Sequence, residues 1–195
     1  MSIPITSQTK MPSSDKKKLS SKYAFYYRIS EDFPSQQKGP INTKDYENQI
    51  IKIGEFDTVE DFWAIFQHLR KPDSCKPGIE FQLFRYPIKA IWEDDSNKNG
   101  GRISIKLRKD FTTIIWEEMI FAFIGDVLQE KIKNEINGIV VTSRREFNTL
   151  QIWFKNWNLE KNNIIDNYIR DLLQIPPEVN LDFKKFNKEV IDEAK

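Results

Sequence analysis

Trp92 and Glu93 stand together in the segment Ile91–Asp95, and this pair offers the clearest chemistry in the sequence. An indole ring is the strongest cation–π face among side chains, and a neighbouring carboxylate accepts hydrogen bonds from the donor edge of a planar ligand. The pair therefore indicates a site for a flat, cationic molecule. A core tryptophan beside a solvated acid is the alternative, and the pair alone leaves both interpretations open.

The composition argues against several classes of function. Lys and Arg total 30 against 29 Asp and Glu, so no overall field draws the protein to bulk nucleic acid or to anionic membranes. A single cysteine, Cys75, excludes an internal disulfide framework, and a single histidine, His68, excludes zinc sites that need several Cys or His ligands. We therefore expect no metal, no cofactor and no catalytic residue.

The sequence contains no segment that predicts secretion or membrane insertion. The first residues lack the apolar stretch of a signal peptide, and no apolar run is long enough to cross a bilayer. We expect a soluble cytoplasmic protein, with a nuclear location also open.

Hydrophobic spacing predicts one α+β domain between two tails. Residues 1–21 are expected to form a disordered tail, residues 22–187 the folded domain, and residues 188–195 a charged C-terminal tail. Helical spacing predicts three helices, near 58–71, 111–124 and 164–173. Strands are predicted near 23–27, 50–53, 78–84, 102–108, 136–142 and 149–153, with a long loop over 31–45. Strands joined by short connections favour an antiparallel sheet over a parallel βαβ layout.

Five separated segments resemble the cap-binding eukaryotic translation initiation factor 4E family in their order and in the gaps between them. These segments are Phe56–Trp63, Ile91–Asp95, Asn97–Arg102, Gly138–Arg144 and Ile152–Trp153. The resemblance implies a curved antiparallel sheet of about eight strands, backed by three helices on the convex face. It also implies a monomer that is not an enzyme and that holds the messenger RNA cap on the concave face.

The same resemblance assigns roles around the cap base. It implies that the 7-methylguanine ring stacks between Trp92 and Tyr46, that Glu93 reads the edge of the base, and that Trp153 lies near the N7 methyl group. Tyr46 stands where most members carry Trp, as in the class II branch, the 4E-homologous proteins. Because Tyr is the weaker cation–π partner, we expect lower cap affinity than in a Trp–Trp member. For Trp153, a core role at a strand end is equally open.

For the cap phosphates, the resemblance implies Arg144 as the principal ligand and Arg102 as a supporting one. Thr149 stands where members commonly carry Lys, so one phosphate contact has no counterpart. Nearby cations are candidates to replace it, although charges on such loops and strands are more often simply solvated: Arg145, Lys106 and Lys155.

The resemblance further implies a partner surface on the convex side, which takes a short helical peptide from a 4G-like scaffold initiation factor or from a 4E-binding protein. We call its implied residues the dorsal patch: Val59, Trp63, Trp116, Phe121, Gly125 and Asp126. For Trp63, a place inside the core fits the helical spacing equally well. The family's His-Pro motif ahead of the first strand is absent, so partner choice is expected to differ from that of better-known members.

Three functions remain to be compared. The leading hypothesis is a module that connects capped messages to a translation partner, either in initiation or in class II-type repression. The second is a protein-interaction scaffold with a weakened cap pocket. A cap-hydrolysing enzyme is disfavoured, because the sole histidine, His68, lies in a helical pattern and no cluster of metal-binding acids accompanies it.

Overall fold

A computed structural model describes residues 16–29, 43–127, 135–157 and 162–186. Within these ranges, seven strands form one antiparallel sheet in the order β2-β1-β3-β5-β6-β4-β7. The strands are β1 (Lys18–Ile29), β2 (Ile51–Thr58), β3 (Ile79–Arg85), β4 (Gly101–Leu107), β5 (Ile136–Thr142), β6 (Asn148–Phe154) and β7 (Leu181–Lys185). The helices are α1 (Thr43–Asn48), α2 (Val59–Phe66), α3 (Lys109–Ile124) and α4 (Asn162–Leu173), with a 3-10 turn at Pro72–Ser74.

The curved antiparallel sheet with its helices confirms the predicted fold class, although the counts differ. The described residues contain seven strands instead of about eight, and four helices instead of three. The additional helix is α1, which has six residues and is too short to show a hydrophobic period. None of the helices in the described ranges is long and apolar enough to cross a membrane.

The boundary of the N-terminal tail also needs correction, because β1 begins at Lys18, inside the segment 1–21 that was assigned to the tail. Lys18 pairs with Thr58 of β2, and its Nζ lies 2.7 Å from Asp57 Oδ2. These contacts with β2 extend the strand beyond its apolar residues. Residues 1–15 and the predicted C-terminal tail, 188–195, lie outside the described residues.

The convex side of the sheet carries the main hydrophobic core. Side chains from all seven strands meet α2, α3 and α4 there, and the largest fully buried ones include Tyr23, Phe25, Phe56, Phe62, Phe123 and Met119. Thr58 caps α2, since its Oγ1 accepts a hydrogen bond from the Asp61 amide at 3.1 Å. This packing leaves the other face of the sheet free of helices α2, α3 and α4.

The concave face is organised in three rows that run across the strands, because directly opposed residues in antiparallel neighbours share a face. The first row is Ala24, Phe84, Gly138, Trp153, Arg102 and Lys184. The second is Tyr26, Gln82, Val140, Gln151, Ser104 and Asp182, and the third is Arg28, Glu80, Thr142, Thr149 and Lys106. Aromatic residues therefore gather in the first row, and a buried ion pair lies in the third.

The segment between β3 and β4, which carries Trp92 and Glu93, is held by one fully buried side chain. Asn97 Nδ2 donates to the carbonyl oxygens of Lys89 and Ile91, at 2.9 Å in each case. Asn97 Oδ1 accepts a hydrogen bond from Asn137 Nδ2 at 2.9 Å. Asn137 lies at an irregularity in the pairing of β5 with β6, which turns its side chain toward this segment. The position of Trp92 thus depends on two asparagines 40 residues apart.

Replacing Asn97 with Ala is expected to lower the free energy of unfolding by about 3 kcal/mol, because buried carbonyl oxygens lose their donor. Urea unfolding followed by circular dichroism measures this change. Asn99→Ala is the matched control in the same segment: Asn99 is exposed, and its recorded hydrogen bond is through the main chain. Its expected cost is below about 0.5 kcal/mol. Equal costs for the two variants would contradict the role given to Asn97.

Adding a side chain at Gly138 is expected to lower the stability of the fold. A Cβ atom at Gly138 would lie 2.3 Å from the Phe84 ring, and the backbone does not have the positive φ that favours glycine. Gly138→Ala is therefore expected to cost about 1–3 kcal/mol through overpacking under Trp153. Gly54→Ala is the control, because its Cβ would meet only the terminal methyl group of Ile65 at 2.8 Å, which can rotate away. A Gly138 variant as stable as the Gly54 variant would refute this packing.

Candidate ligand-binding site on the concave face

A cavity of about 310 Å³ opens on the concave face at the first row of the sheet. Its walls are three aromatic and three basic side chains: Trp92, Trp153, Phe186, Arg102, Lys184 and Lys185. Two of these, Trp92 and Trp153, were predicted for a base site, and Arg102 was predicted for a phosphate site. The structure therefore brings members of both predicted sets into one cavity. Aromatic walls combined with cations fit a planar ligand that carries negative groups.

Trp92 presents an open aromatic surface at this cavity. Its side chain is 50% exposed, although the segment that carries it is fixed by Asn97. Glu93 follows it and is half-buried, with its Oε2 atom shielded from solvent. A large indole that stays open on a fixed backbone is typical of a contact surface rather than of a core residue. The alternative of a core tryptophan is therefore wrong for Trp92.

Trp153 lies in the floor of the cavity. Its ring is only 4% exposed and packs against Phe186, with ring centroids 4.4 Å apart, and against Phe84 at 5.6 Å. Trp153 Nε1 donates to Gln151 Oε1 at 3.1 Å, which fixes the orientation of the indole. The two interpretations of Trp153 are thus compatible, since the ring is packed into the sheet and also lines the cavity.

Tyr46 is placed by α1, over the third row and not among the lining residues of the cavity. Its hydroxyl donates to Glu80 Oε1 at 3.3 Å, and the Arg28 guanidinium lies 4.5 Å from its ring centroid. Burial, together with the Glu80 carboxylate, raises the pKa of the Tyr46 hydroxyl, so the group keeps its proton and remains a donor. Within the described residues, Tyr46 and Trp92 make no direct ring contact.

The segments that carry Tyr46 and Trp92 are nevertheless neighbours. Glu47 Oε1 lies 3.0 Å from Lys89 Nζ, which joins α1 to the Trp92 segment. Ile50 and Ile88 also pack against the same small apolar cluster on the concave face. The charged pair is exposed and contributes little to stability by itself, but it shows that the two segments meet at the edge of the site.

Among the predicted phosphate ligands, Arg102 lies in the cavity wall. Its Nη1 donates to Gln151 Oε1 at 3.3 Å, while its buried Nε has no partner among the described residues. Burial lowers the pKa of the Arg102 guanidinium, and the nearby Arg144 charge lowers it further. Arg144 itself is exposed in the turn between β5 and β6, where its amide donates to Asn148 Oδ1 at 3.1 Å.

Lys106 stands directly opposite Thr149 in the pairing of β4 with β6, so the two side chains share the concave face. Lys106 Nζ lies 4.9 Å from the Phe147 ring centroid, at the same end of the sheet as Arg144. Of the cations proposed to replace the missing lysine at Thr149, Lys106 is therefore the one that the strand register places beside that position. Arg145 is exposed in the turn, and Lys155 lies beyond the end of β6.

Three wall residues, Lys184, Lys185 and Phe186, were not identified from the sequence. The two lysines end the short strand β7, whose pairing with β4 places Lys184 opposite Arg102, and Phe186 follows them. From the sequence, this segment was assigned only to the folded domain, residues 22–187. The signal that was present is the pattern Phe183-Lys184-Lys185-Phe186, in which lysines stand between aromatic residues.

The dorsal patch is partly assembled on the convex side. Trp63 is 47% exposed and Phe121 41% exposed, with ring centroids 5.9 Å apart, while Val59 is half-buried one turn before Trp63. Trp63 is therefore not an internal core residue. Gly125 and Asp126 end α3, and Asp126 Oδ1 accepts a hydrogen bond from Arg85 Nη2 at 3.3 Å.

The predicted place of Trp116 in the dorsal patch is wrong, because its side chain is 3% exposed and lies in the main core. It supports the dorsal patch from within and offers no contact surface. His68 is exposed after α2, and no group of three His, Cys, Asp or Glu side chains within the described ranges could hold a metal ion.

Comparisons with known proteins agree with this architecture. The family model for eukaryotic initiation factor 4E matches residues 18–195. Eukaryotic translation initiation factor 4E-4 of Caenorhabditis elegans is 28% identical over 98% of this chain and 87% of its own length. Eukaryotic translation initiation factor 4E of Homo sapiens is 30% identical over 73% of this chain and 67% of its own length. For factor 4E1 of Drosophila melanogaster, 34% identity extends over 68% of this chain and 52% of the relative.

Solved structures share the fold. Ascaris suum eIF4E-3 in complex with the m2,2,7G cap superposes with a TM-score of 0.75 at 24% identity, over 89% of this chain and 93% of the relative. Caenorhabditis elegans eIF4E-3, in complex with the 4E-binding protein Mextli and a cap analog, gives a TM-score of 0.73 at 24% identity, over 87% and 92% of the two chains. The sequence match over residues 18–195 and the shared fold establish that this chain belongs to the eukaryotic initiation factor 4E family, whose members are translation factors and not enzymes.

Proposed function

We propose that this protein binds the 7-methylguanosine cap of messenger RNA on its concave face and links capped RNA to translation partners in the cytoplasm. The observation that carries the proposal is the half-exposed Trp92 beside Glu93, at a cavity whose other walls are aromatic and cationic. A methylated guanine is flat and cationic and carries a donor edge, which matches the indole face and the carboxylate. Its phosphates match the neighbouring basic side chains.

Recognition of the base rests on charge. Methylation at N7 makes guanine a cation, and each aromatic face then contributes about 0.5–2 kcal/mol that an unmethylated base does not gain. Trp92 supplies one face, and Tyr46 is proposed to supply the other. Glu93 accepts hydrogen bonds from the N1 and N2 donors of the base, a charge-assisted contact of about 1.5–3 kcal/mol that adenine cannot make. Trp153 adds an apolar surface for the methyl group.

The triphosphate is proposed to run from the cavity toward the turn between β5 and β6. Arg102 is available at the start of this path, because its buried Nε has no partner among the described residues. Arg144 and Lys106 lie at the far end. Arginine is suited to bidentate contact with phosphate oxygens, whereas lysine acts as a point charge.

A protein-interaction scaffold with a weakened cap pocket is the second candidate, favoured by the position of Tyr46 outside the cavity lining. On either account, the exposed Trp63 and Phe121 would receive a helical peptide from a 4G-like scaffold or from a 4E-binding protein, through a monomeric chain. A partner pulldown that survives Glu93→Ala, from a protein that binds no cap analogue, would favour the scaffold. We leave activation and repression of translation as alternatives within the proposal.

Quenching of intrinsic fluorescence by 7-methylguanosine triphosphate tests the proposal directly. Trp92→Ala is expected to weaken binding by at least about tenfold, because one cation–π face is lost. Trp63→Ala is the matched control, since Trp63 is as exposed as Trp92 but lies on the convex side. Its affinity should stay within about twofold of the wild type. Folded wild-type protein that shows no quenching, or equal losses in both variants, would refute the proposal.

Lys106→Ala is expected to weaken binding of 7-methylguanosine triphosphate by about two- to fivefold, because an exposed cation contributes modestly to phosphate binding. Binding of the nucleoside 7-methylguanosine, which has no phosphate, should be unchanged, and this ligand serves as the control. The effect should shrink at high salt. Calorimetry with both ligands decides the matter: equal losses for the two, or no loss for either, would remove Lys106 from the phosphate path.

A further inference from the structure

Glu80 is the centre of a buried polar cluster that cap recognition, as described so far, does not use. The residue is 6% exposed, and its two carboxylate oxygens accept four hydrogen bonds. Oε1 receives Gln82 Nε2 at 2.6 Å and the Tyr46 hydroxyl at 3.3 Å. Oε2 receives Arg28 Nη2 and Thr142 Oγ1, each at 3.3 Å. Glu80 therefore joins α1 to strands β1, β3 and β5.

Arg28 completes the attachment of α1 to the sheet. It is 7% exposed, its guanidinium lies 4.5 Å from the Tyr46 ring centroid, and its Nη1 donates to Gln49 Oε1 at 3.3 Å. One face of the Tyr46 ring and its hydroxyl are thus both held by the sheet. A six-residue helix has little stability of its own, so these contacts decide where Tyr46 lies.

Stability alone does not account for this cluster. Burying an ion pair removes two charges from water, and apolar residues of similar volume commonly stabilise a fold as well or better. The Arg28–Glu80 pair lies on the concave face, where the buried apolar residues form only a small cluster. What the pair provides that apolar residues cannot is a directed acceptor for the Tyr46 hydroxyl and a cation against its ring.

We propose that Arg28 and Glu80 are positioning residues for cap binding, which hold Tyr46 by its hydroxyl and one ring face so that its other face is ready to stack on the base. This inference rests on the proposed function. A tryptophan at this position has no hydroxyl to bond to Glu80. Tyrosine attracts a cationic base less strongly than tryptophan, but its ring is already held in place before the base binds, which offsets part of that difference. The Glu80 charge also offsets that of Arg28, which would otherwise repel a cationic base.

The size of the effect follows from the fraction of molecules in which Tyr46 is ready. If the untethered ring is competent for between a third and a tenth of the time, the apparent affinity falls by the same factor. Because only the competent fraction of the free protein can bind, the loss should appear in association more than in dissociation.

Tyr46→Phe is the main test, because it keeps the aromatic ring and removes only the hydroxyl that reaches Glu80. Binding of 7-methylguanosine triphosphate is expected to weaken by about three- to tenfold, with slower association in stopped-flow measurements. The second variant, Arg28→Met with Glu80→Met, removes both charges and the acceptor of the Tyr46 hydroxyl while keeping side chains of similar length. In that background, Tyr46→Phe should cause no further loss, a non-additivity that a merely structural role of Glu80 would not produce.

If the double variant does not fold, the result for Tyr46→Phe alone decides. Affinity of Tyr46→Phe within about twofold of the wild type, or above it, overturns the inference, as does additive behaviour in the double-variant background. Wild type and Trp92→Ala are measured in the same assay. If the Tyr46→Phe result overturns the inference while wild type binds and Trp92→Ala does not, the proposed function stands and only the role of Arg28 and Glu80 falls. If wild type fails to bind, both fall.

Discussion

The hydrogen-bond register of the sheet is the constraint on which the site depends. In antiparallel neighbours, opposed residues lie on the same face, and a shift of one residue would send a whole strand's side chains to the other side. The observed register aligns Phe84, Gly138, Trp153 and Arg102 across four strands. The aromatic floor and the first cation of the cavity are therefore properties of strand pairing.

This register is held by the unequal chemistry of the two faces. The convex face buries apolar residues from seven strands against three helices, whereas the concave face carries charged and amide side chains that would be costly to bury without partners. Glu80, Gln82 and Thr142 are nearly inaccessible to solvent and bond to one another or to Arg28. The bonds of Arg28 and Thr142 to Glu80 cross between strands, so they form only in this register and make the polar face specific to it.

Local patterns in the sequence predicted the regular elements well. Strand β5 spans Ile136–Thr142 as predicted, and in β4 the alternation of Ile103, Ile105 and Leu107 with polar residues matches the buried and exposed faces. The position of helix α3 in the sequence was predicted, but the side of the helix that faces solvent was not. It is apolar on several sides, with Trp116 buried and Phe121 exposed, so its sequence pattern could not show which aromatic residue faces solvent.

The missed parts of the site depend on contacts between distant residues. Asn97 and Asn137 are unremarkable in sequence and meet only in the folded sheet. Lys184 reaches the cavity because β7 pairs with β4, a contact across about half of the chain. Arg28 and Glu80 were not identified because nothing local distinguishes a strand arginine or glutamate that is buried from one that is solvated. The resemblance to known relatives selected Tyr46, yet the contacts of its hydroxyl required the structure.

Recognition of a cationic guanine by the concave face can be measured by comparing 7-methylguanosine triphosphate with guanosine triphosphate as ligands. The two ligands present the same donor edge and the same phosphates, so their difference isolates the attraction of the methylated base to the rings. Isothermal titration calorimetry should show at least about tenfold tighter binding of the methylated ligand, from two aromatic faces that each contribute about 0.5–2 kcal/mol. Equal affinities for the two nucleotides would contradict the account.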